Sequence, residues 1–234
     1  LNLKRNWFLK RKATHLKLVV QNMRNPLKNL NVAMYPKGDM TQPFGVNKAL
    51  YAFMGLDGHN GIDIVRPHGE PMYAIEDGTV VEVKDDPKGF GMHVRFVTDV
   101  PDEKGYYHEW TYGHCSATFV SINDKVLAGQ KIANMGNTGF VVSGATPFWK
   151  NNPFAGTHLH LGLRLMKRPK RGGWFYAGST VRLDVVNYNN GFKGAVDPAP
   201  YLIGANDGIK QPTIMELQLT VLSLLNKLYS ILKK

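Results

Sequence analysis

The stretch Thr157-His158-Leu159-His160-Leu161 alternates imidazole and aliphatic side chains. Read as a β-strand, it sets both histidines on one face and both leucines on the other. The leucines ask for a buried strand, yet two buried imidazoles without partners are costly. A metal ion resolves the conflict, because neutral imidazole is a common zinc ligand. The rest of the chain is therefore expected to supply the missing ligands.

Strand-like runs dominate the middle of the chain. Residues 62–65, 71–75, 78–83, 92–97, 109–114 and 131–135 are short, rich in β-branched and aromatic side chains, and bounded by Gly and Asp. With no long helical period between them, a mainly β, antiparallel core is expected. Residues 35–58 and 168–212 read as irregular, punctuated by Gly and Pro, and residues 140–157 read as a loop. At the C-terminus, Thr213 and Glu216 have capping-box spacing. Ile214, Leu217, Val221, Leu224, Leu228 and Ile231 follow at alternating spacings of three and four, an amphipathic helix. The expected organisation is a basic helical arm over 1–34, a core domain over 35–167, an extension over 168–212 and a helix over 213–234.

Composition narrows the function classes. The 234 residues carry a net charge of +11, with 43% hydrophobic residues, 24 Gly, 13 Pro and one cysteine. A lone Cys115 excludes an internal disulfide framework and a cysteine-rich zinc site. Residues 1–31 hold eight Lys/Arg and no acid, whereas residues 32–215 come to only +1. Such an arm suits an anionic surface, a cell-wall polymer or a membrane face. The near-neutral body, without an aromatic-basic motif, argues against nucleic acid. The C-terminal stripe implies docking on the same chain or a homo-oligomer. No apolar run reaches the ~18–20 residues of a membrane span. Basic residues interrupt the first apolar stretch, so no signal-peptide core is visible and export is expected to rely on an upstream segment or another route.

A second polar cluster, His59-Asn60-Gly61-Ile62-Asp63, ends in a strand. His59, Asp63 and one of His158 or His160 would give three protein ligands with an open fourth position, the catalytic rather than structural zinc arrangement. Tyr112-Gly113-His114 adds one more imidazole; alternation sets Tyr112 and His114 on one face and Cys115 on the other, as a buried core residue.

Taken in order, these elements resemble the lysostaphin/LytM-type zinc metalloendopeptidases, which are peptidoglycan hydrolases. The resemblance runs from about Met40 to Met166. It takes in Thr41-Gln42-Pro43-Phe44-Gly45, His59 to Asp63, Gly69-Glu70-Pro71-Met72-Tyr73-Ala74 and Asp77-Gly78-Thr79-Val80. It continues through Tyr112-Gly113-His114, Val126-Leu127-Ala128-Gly129-Gln130, Gly136-Asn137-Thr138-Gly139 and His158-Leu159-His160. It implies a LytM-type β-sheet core with one Zn2+ per chain on His59, Asp63 and His160. His114 and His158 match the two histidines that act on the attacking water and the developing oxyanion. The implied substrate is peptidoglycan, cut in its cross-bridge or stem-peptide cross-link, and the implied place is the cell envelope, the outside of the cell, or a virion or lysis system if phage-encoded. Two other functions follow from the same residues: a catalytically silent wall-binding or regulatory module, and a basic adaptor for nucleic acid or a membrane surface driven by residues 1–31. The chain departs from the family pattern in its long loop over 140–157, where Phe140, Phe148, Trp149 and Phe154 would wall the substrate groove, and at Gly162, a position often acidic. The remaining histidines, His15, His68, His93 and His108, match nothing catalytic and are expected at the surface.

Overall fold

The computed structural model describes residues 25–143, 146–147, 152–168, 174–175 and 182–202. In chain order its strands are β1 (Met40–Gln42), β2 (Ile62–Ile64), β3 (Pro71–Tyr73), β4 (Gly78–Asp86), β5 (Gly91–Thr98), β6 (Tyr107–Gly113), β7 (Cys115–Thr118), β8 (Lys125–Val126) and β9 (Lys131–Met135). Then come β10 (Val142–Ser143), β11 (Thr146–Pro147), β12 (Leu159–Lys167), β13 (Trp174–Phe175), β14 (Arg182–Val185) and β15 (Ala195–Val196). One helical turn, α1 (Lys48–Tyr51), runs into a 3-10 turn at Ala52–Met54. The paired strands are antiparallel, as the hydrophobic alternation requires.

β12 is the centre of the main sheet, whose order is β1-β2-β12-β6-β5-β4-β8. Along one side it pairs with β6 from His160 to Met166. Its other side is covered in turn by β2 at Leu159–Leu161, β15 at Leu163 and Arg164, and β14 at Met166 and Lys167. A second sheet, β3-β9-β7, closes one face. Leu159, Leu161 and Leu163 from β12 meet Trp110, Tyr112, Val94 and Phe96 there, with Met72, Cys115, Ile132 and Met135 from the second sheet. Each such side chain buried contributes ~1.5–3 kcal/mol, so this face fixes the register of β12. The opposite face carries His158 and His160 on its polar half, and its far end is apolar, where Met166 packs with Val81, Val97, Tyr107 and Leu183.

Several expectations change. The stretch 35–58 contains β1, α1 and the 3-10 turn. The segment after Lys167 is not simply irregular, since β14 and β15 join β12. Within the expected loop, β10 and β11 form a small hairpin. The helical arm is not seen in residues 25–34, which carry no helix and send Leu27 and Leu30 into the core. Residues 1–24 and the C-terminal helix at 213–234 lie outside the described residues.

His93 and His108 are also corrected. Both are buried, whereas His68 is exposed as expected. His93 faces Glu82 at 2.8 Å. His108 Nδ1 lies 2.8 Å from a Glu76 oxygen that also accepts from Trp110 Nε1 at 2.7 Å. A histidine can be buried when carboxylates face it. Burial pulls the His108 pKa down, but the hydrogen bond and charge of Glu76, together with Asp102, outweigh it and leave the pKa raised. A raised folded pKa means stability that is fully present below the unfolded value, about 6.5, and lost as pH rises through the folded one. Thermal unfolding of the chain and of His108→Gln between pH 6 and 9 should show the native advantage shrinking as pH rises. An advantage that grows with pH would refute the assigned charge.

Candidate metal centre

The cross-strand partner of His160 on β12 is Asp63 on β2, and its partner on the other side is Gly113 on β6. Register alone thus sets the imidazole beside the carboxylate. His59 arrives from the turn before β2, where its N–H donates to Val46 O and its carbonyl accepts from Gly45 N. Gly61 sits beneath the ligand: a Cβ there would come within 2.7 Å of His160 Nε2 and 2.6 Å of Leu161 O. Only glycine leaves room for the ring.

Three atoms converge. His59 Nε2 lies 2.9 Å from His160 Nδ1 and 3.1 Å from Asp63 Oδ1, and His160 Nδ1 lies 3.2 Å from the same oxygen. Ligand atoms at zinc's usual ~2.0–2.2 Å in a tetrahedron stand about 3.3 Å apart, so this triangle has the size of a metal site. Its chemistry fits as well. His59 Nδ1 is 3.2 Å from Pro43 O, a bond in which the ring must donate, so Nε2 carries the lone pair. Burial, opposed in part by Asp63, brings the His160 pKa down to about 4, keeping that ring neutral. For Asp63, burial works toward the neutral acid, but His158 and His59 hold its carboxyl well below the usual range. Two imidazoles and one carboxylate are a donor set that can hold a metal ion.

The two other site histidines adjoin this triangle. His158 Nε2 is 3.7 Å from Asp63 Oδ1, and the rings of His158 and His114 stand 4.5 Å apart. Each is tied at Nδ1 to a backbone carbonyl, His158 to Gly156 O and His114 to Thr138 O, both at 2.7 Å. Nε2 is then the free lone pair on both rings. Burial and the neighbouring His158 and His160 rings push the His114 pKa down to about 3.

His114 reaches the site by a route alternation does not describe. β6 ends at Gly113, and His114 takes φ +59°, a left-handed conformation rare outside glycine. Tyr112 and Cys115 both end in the core, and His114 alone turns to the polar face. Burial raises the Cys115 thiol to about 12, which leaves it an inert core residue as expected.

A cleft of ≈ 800 Å³ opens over the triangle. Tyr51 lines it, stacked on His59 with ring centroids 5.3 Å apart, and its hydroxyl accepts from Gln42 Nε2 at 2.5 Å. Burial and the charge of Asp63 raise the Tyr51 pKa, so the phenol keeps its proton. Gln42 stood in the lead-in motif, whereas nothing in the sequence signalled Tyr51. Further along lie Glu82, His93 and Arg95. The hydrogen bond from His93, with help from Arg95 and against the pull of burial, takes Glu82 down to about 2. Of the loop aromatics, Phe140 lines the cleft, while Phe154 packs on His68 at 4.7 Å instead. Phe148 and Trp149 lie outside the described residues.

Comparison with known proteins adds the following. The model of Peptidase family M23 matches residues 57–171. The glycyl-glycine endopeptidase ALE-1 of Staphylococcus capitis is 35% identical over 89 residues, 37% of this chain and 23% of that protein. The peptidoglycan DD-endopeptidase ShyA of Vibrio cholerae is 33% identical over 111 residues, 47% of this chain and 21% of that protein. The matched stretch therefore spans about a quarter or less of either relative. Among solved structures, the peptidase lysostaphin from Staphylococcus simulans aligns over 75% of this chain and 53% of its own, at 23% identity and a TM-score of 0.47. Residues 57–171 thus belong to peptidase family M23, the lysostaphin/LytM-type peptidases.

Proposed function

We propose that this protein is a zinc-dependent endopeptidase that hydrolyses peptide bonds of bacterial peptidoglycan, acting in the cell envelope or outside the cell. The observation that carries this reading is the buried triangle of His59 Nε2, Asp63 Oδ1 and His160 Nδ1. The two relatives support the substrate class, one being a glycyl-glycine endopeptidase and the other a peptidoglycan DD-endopeptidase.

Zinc, when bound, supplies Lewis-acid polarisation of an amide carbonyl and brings the ionisation of water near neutral pH. His59, Asp63 and His160 would hold it, one per chain. The surrounding residues then have separate tasks. His158 offers Nε2 to accept a proton from the attacking water, because Gly156 O fixes its other nitrogen as the donor. Its place beside Asp63 lets the carboxylate stabilise the imidazolium that results. His114, similarly held by Thr138 O, is the second imidazole beside the site, where its Nε2 lone pair can accept a hydrogen bond from the attacking water. The Tyr51 hydroxyl, kept protonated, is a further donor on the cleft wall. The proposal extends to contacts of the basic arm, residues 1–31, with anionic cell-wall polymers or a membrane surface, and to pairing through the helix expected over 213–234.

Purified protein should contain about one zinc per chain by elemental analysis. His59→Ala, Asp63→Ala and His160→Ala should each lower occupancy sharply, and full retention in all three would sink the ligand assignment. Gly61→Ala should lower it too without removing a ligand, since the added methyl displaces the His160 ring. By contrast, His114→Ala and His158→Ala should keep the metal while hydrolysis of purified peptidoglycan slows by about 10²–10⁴. Loss of zinc from His158→Ala with retention in His160→Ala would exchange the roles of the two.

A further inference from the structure

The polar face of the main sheet continues beyond the metal ligands, and its register can be followed strand by strand. The first row holds His160 opposite Gly113. Two residues further along β12, Gly162 pairs with Thr111, Thr111 with Arg95, and Arg95 with Glu82. Another two residues on, Arg164 pairs with Glu109. Glycine at 113 and 162 and threonine at 111 leave the floor low between His160 and the arginines. From strand spacing and rise, His160 and Arg95 are about 12 Å apart, the length of roughly three to four extended residues.

The far end of this floor is built to keep guanidinium groups in place with donors to spare. Arg95 Nη1 meets Glu82 at 3.4 Å and Arg164 Nη1 meets Glu109 at 3.3 Å, both longer than the ~2.7–2.9 Å of a saturated charge-assisted bond. Arg95 Nε is buried without a hydrogen-bond partner. The Arg95 guanidinium also lies over the Phe90 ring at 5.5 Å, which holds its plane, and Phe90 in turn stands 4.8 Å from the His160 ring. Lys84, Lys88 and Lys193 line the same cleft, whereas its acids other than Asp63 are Glu82 and Asp86. With a divalent ion offsetting Asp63, the cleft is cationic.

Resting on the peptidase reading above, we propose that Arg95 forms an anion subsite that takes a free carboxylate of the substrate peptide about three residues from the bond being cut, with Arg164 as a second guanidinium lining the same cleft. The natural substrate is then an acidic stem-peptide cross-link rather than an uncharged glycyl bridge. A planar guanidinium donates two parallel N–H bonds to a carboxylate, and a peptide laid along Gly113, Thr111 and Gly162 brings its acid to that fork.

The test uses zinc-loaded full-length protein and two synthetic cross-linked stem peptides that differ only in amidation of the free carboxylate nearest the cut bond. The acidic peptide should be cut with roughly ten-fold or greater advantage in kcat/KM, carried by KM, as expected for a charge-assisted contact. Arg95→Gln should collapse that ratio to about two-fold or less, and Arg95→Lys should restore part of it. Equal cleavage of both peptides by the native protein overturns the subsite, as does a preference that survives in both Arg95→Gln and Arg164→Gln. Should Arg95→Gln fail to fold by circular dichroism, Arg164→Gln and Arg95→Lys carry the same comparison. Cleavage of neither peptide is a failure of the peptidase reading, and calorimetric titration of the same peptides then decides the subsite by itself. Tighter binding of the acidic form that Arg95→Gln abolishes supports it. Equal binding, or none, overturns it.

Discussion

One antiparallel pairing, β2 against β12, decides where the chemistry can sit. It places His160 opposite Asp63, and the same register drives Leu159 and Leu161 into the core. A slip of one residue would bury the imidazoles and expose the leucines, so the cost of misplacing the site is the cost of emptying the core. The metal triangle is therefore held by hydrophobic packing on the far side of the sheet. Its geometry does not depend on the ion to assemble it, since two ligands are cross-strand neighbours and the third enters from the adjoining turn.

The polar side solves a different problem, that of turning each imidazole so that Nε2 faces the site. Backbone carbonyls do this at three rings, through Pro43 at His59, Thr138 at His114 and Gly156 at His158. All three anchors belong to loops, and the two serving His114 and His158 are themselves tied down. Thr138 Oγ1 donates to Cys115 O, and Asn137 Nδ2 donates to Pro153 O and Ala155 O, which pins the return of the long excursion just before His158. Loop residues can serve a site only when a rigid scaffold fixes them in this way.

Much of this could be read from the residues. The His-x-His alternation, the His59–Asp63 turn and strand, and the six apolar runs all follow patterns whose physical cause is local. What could not be read depends on partners distant along the chain. β14 and β15 span four and two residues, too few to show a period, and exist because the edge of β12 accepts them. The burial of His93 and His108 rests on Glu82 and Glu76, 11 and 32 positions away. His114 breaks alternation with a left-handed backbone that no residue type at that position announces. Sequence patterns report a residue's own preference, and these three features reflect what its surroundings impose.

The tiling of one side of β12 by β2, β15 and β14 bears on how the chain must emerge and mature. A nine-residue strand bare along half its length is a template for pairing with another molecule. Until the segment through Val196 has been synthesised, the edge from Leu163 to Lys167 stays open, though His59, Asp63 and His160 have all been made. A truncation just past Lys167 would retain His59, Asp63 and His160 and lose the cover of β12, leaving a domain prone to edge-to-edge aggregation. The short strands after the last histidine thus guard β12 against pairing with another molecule.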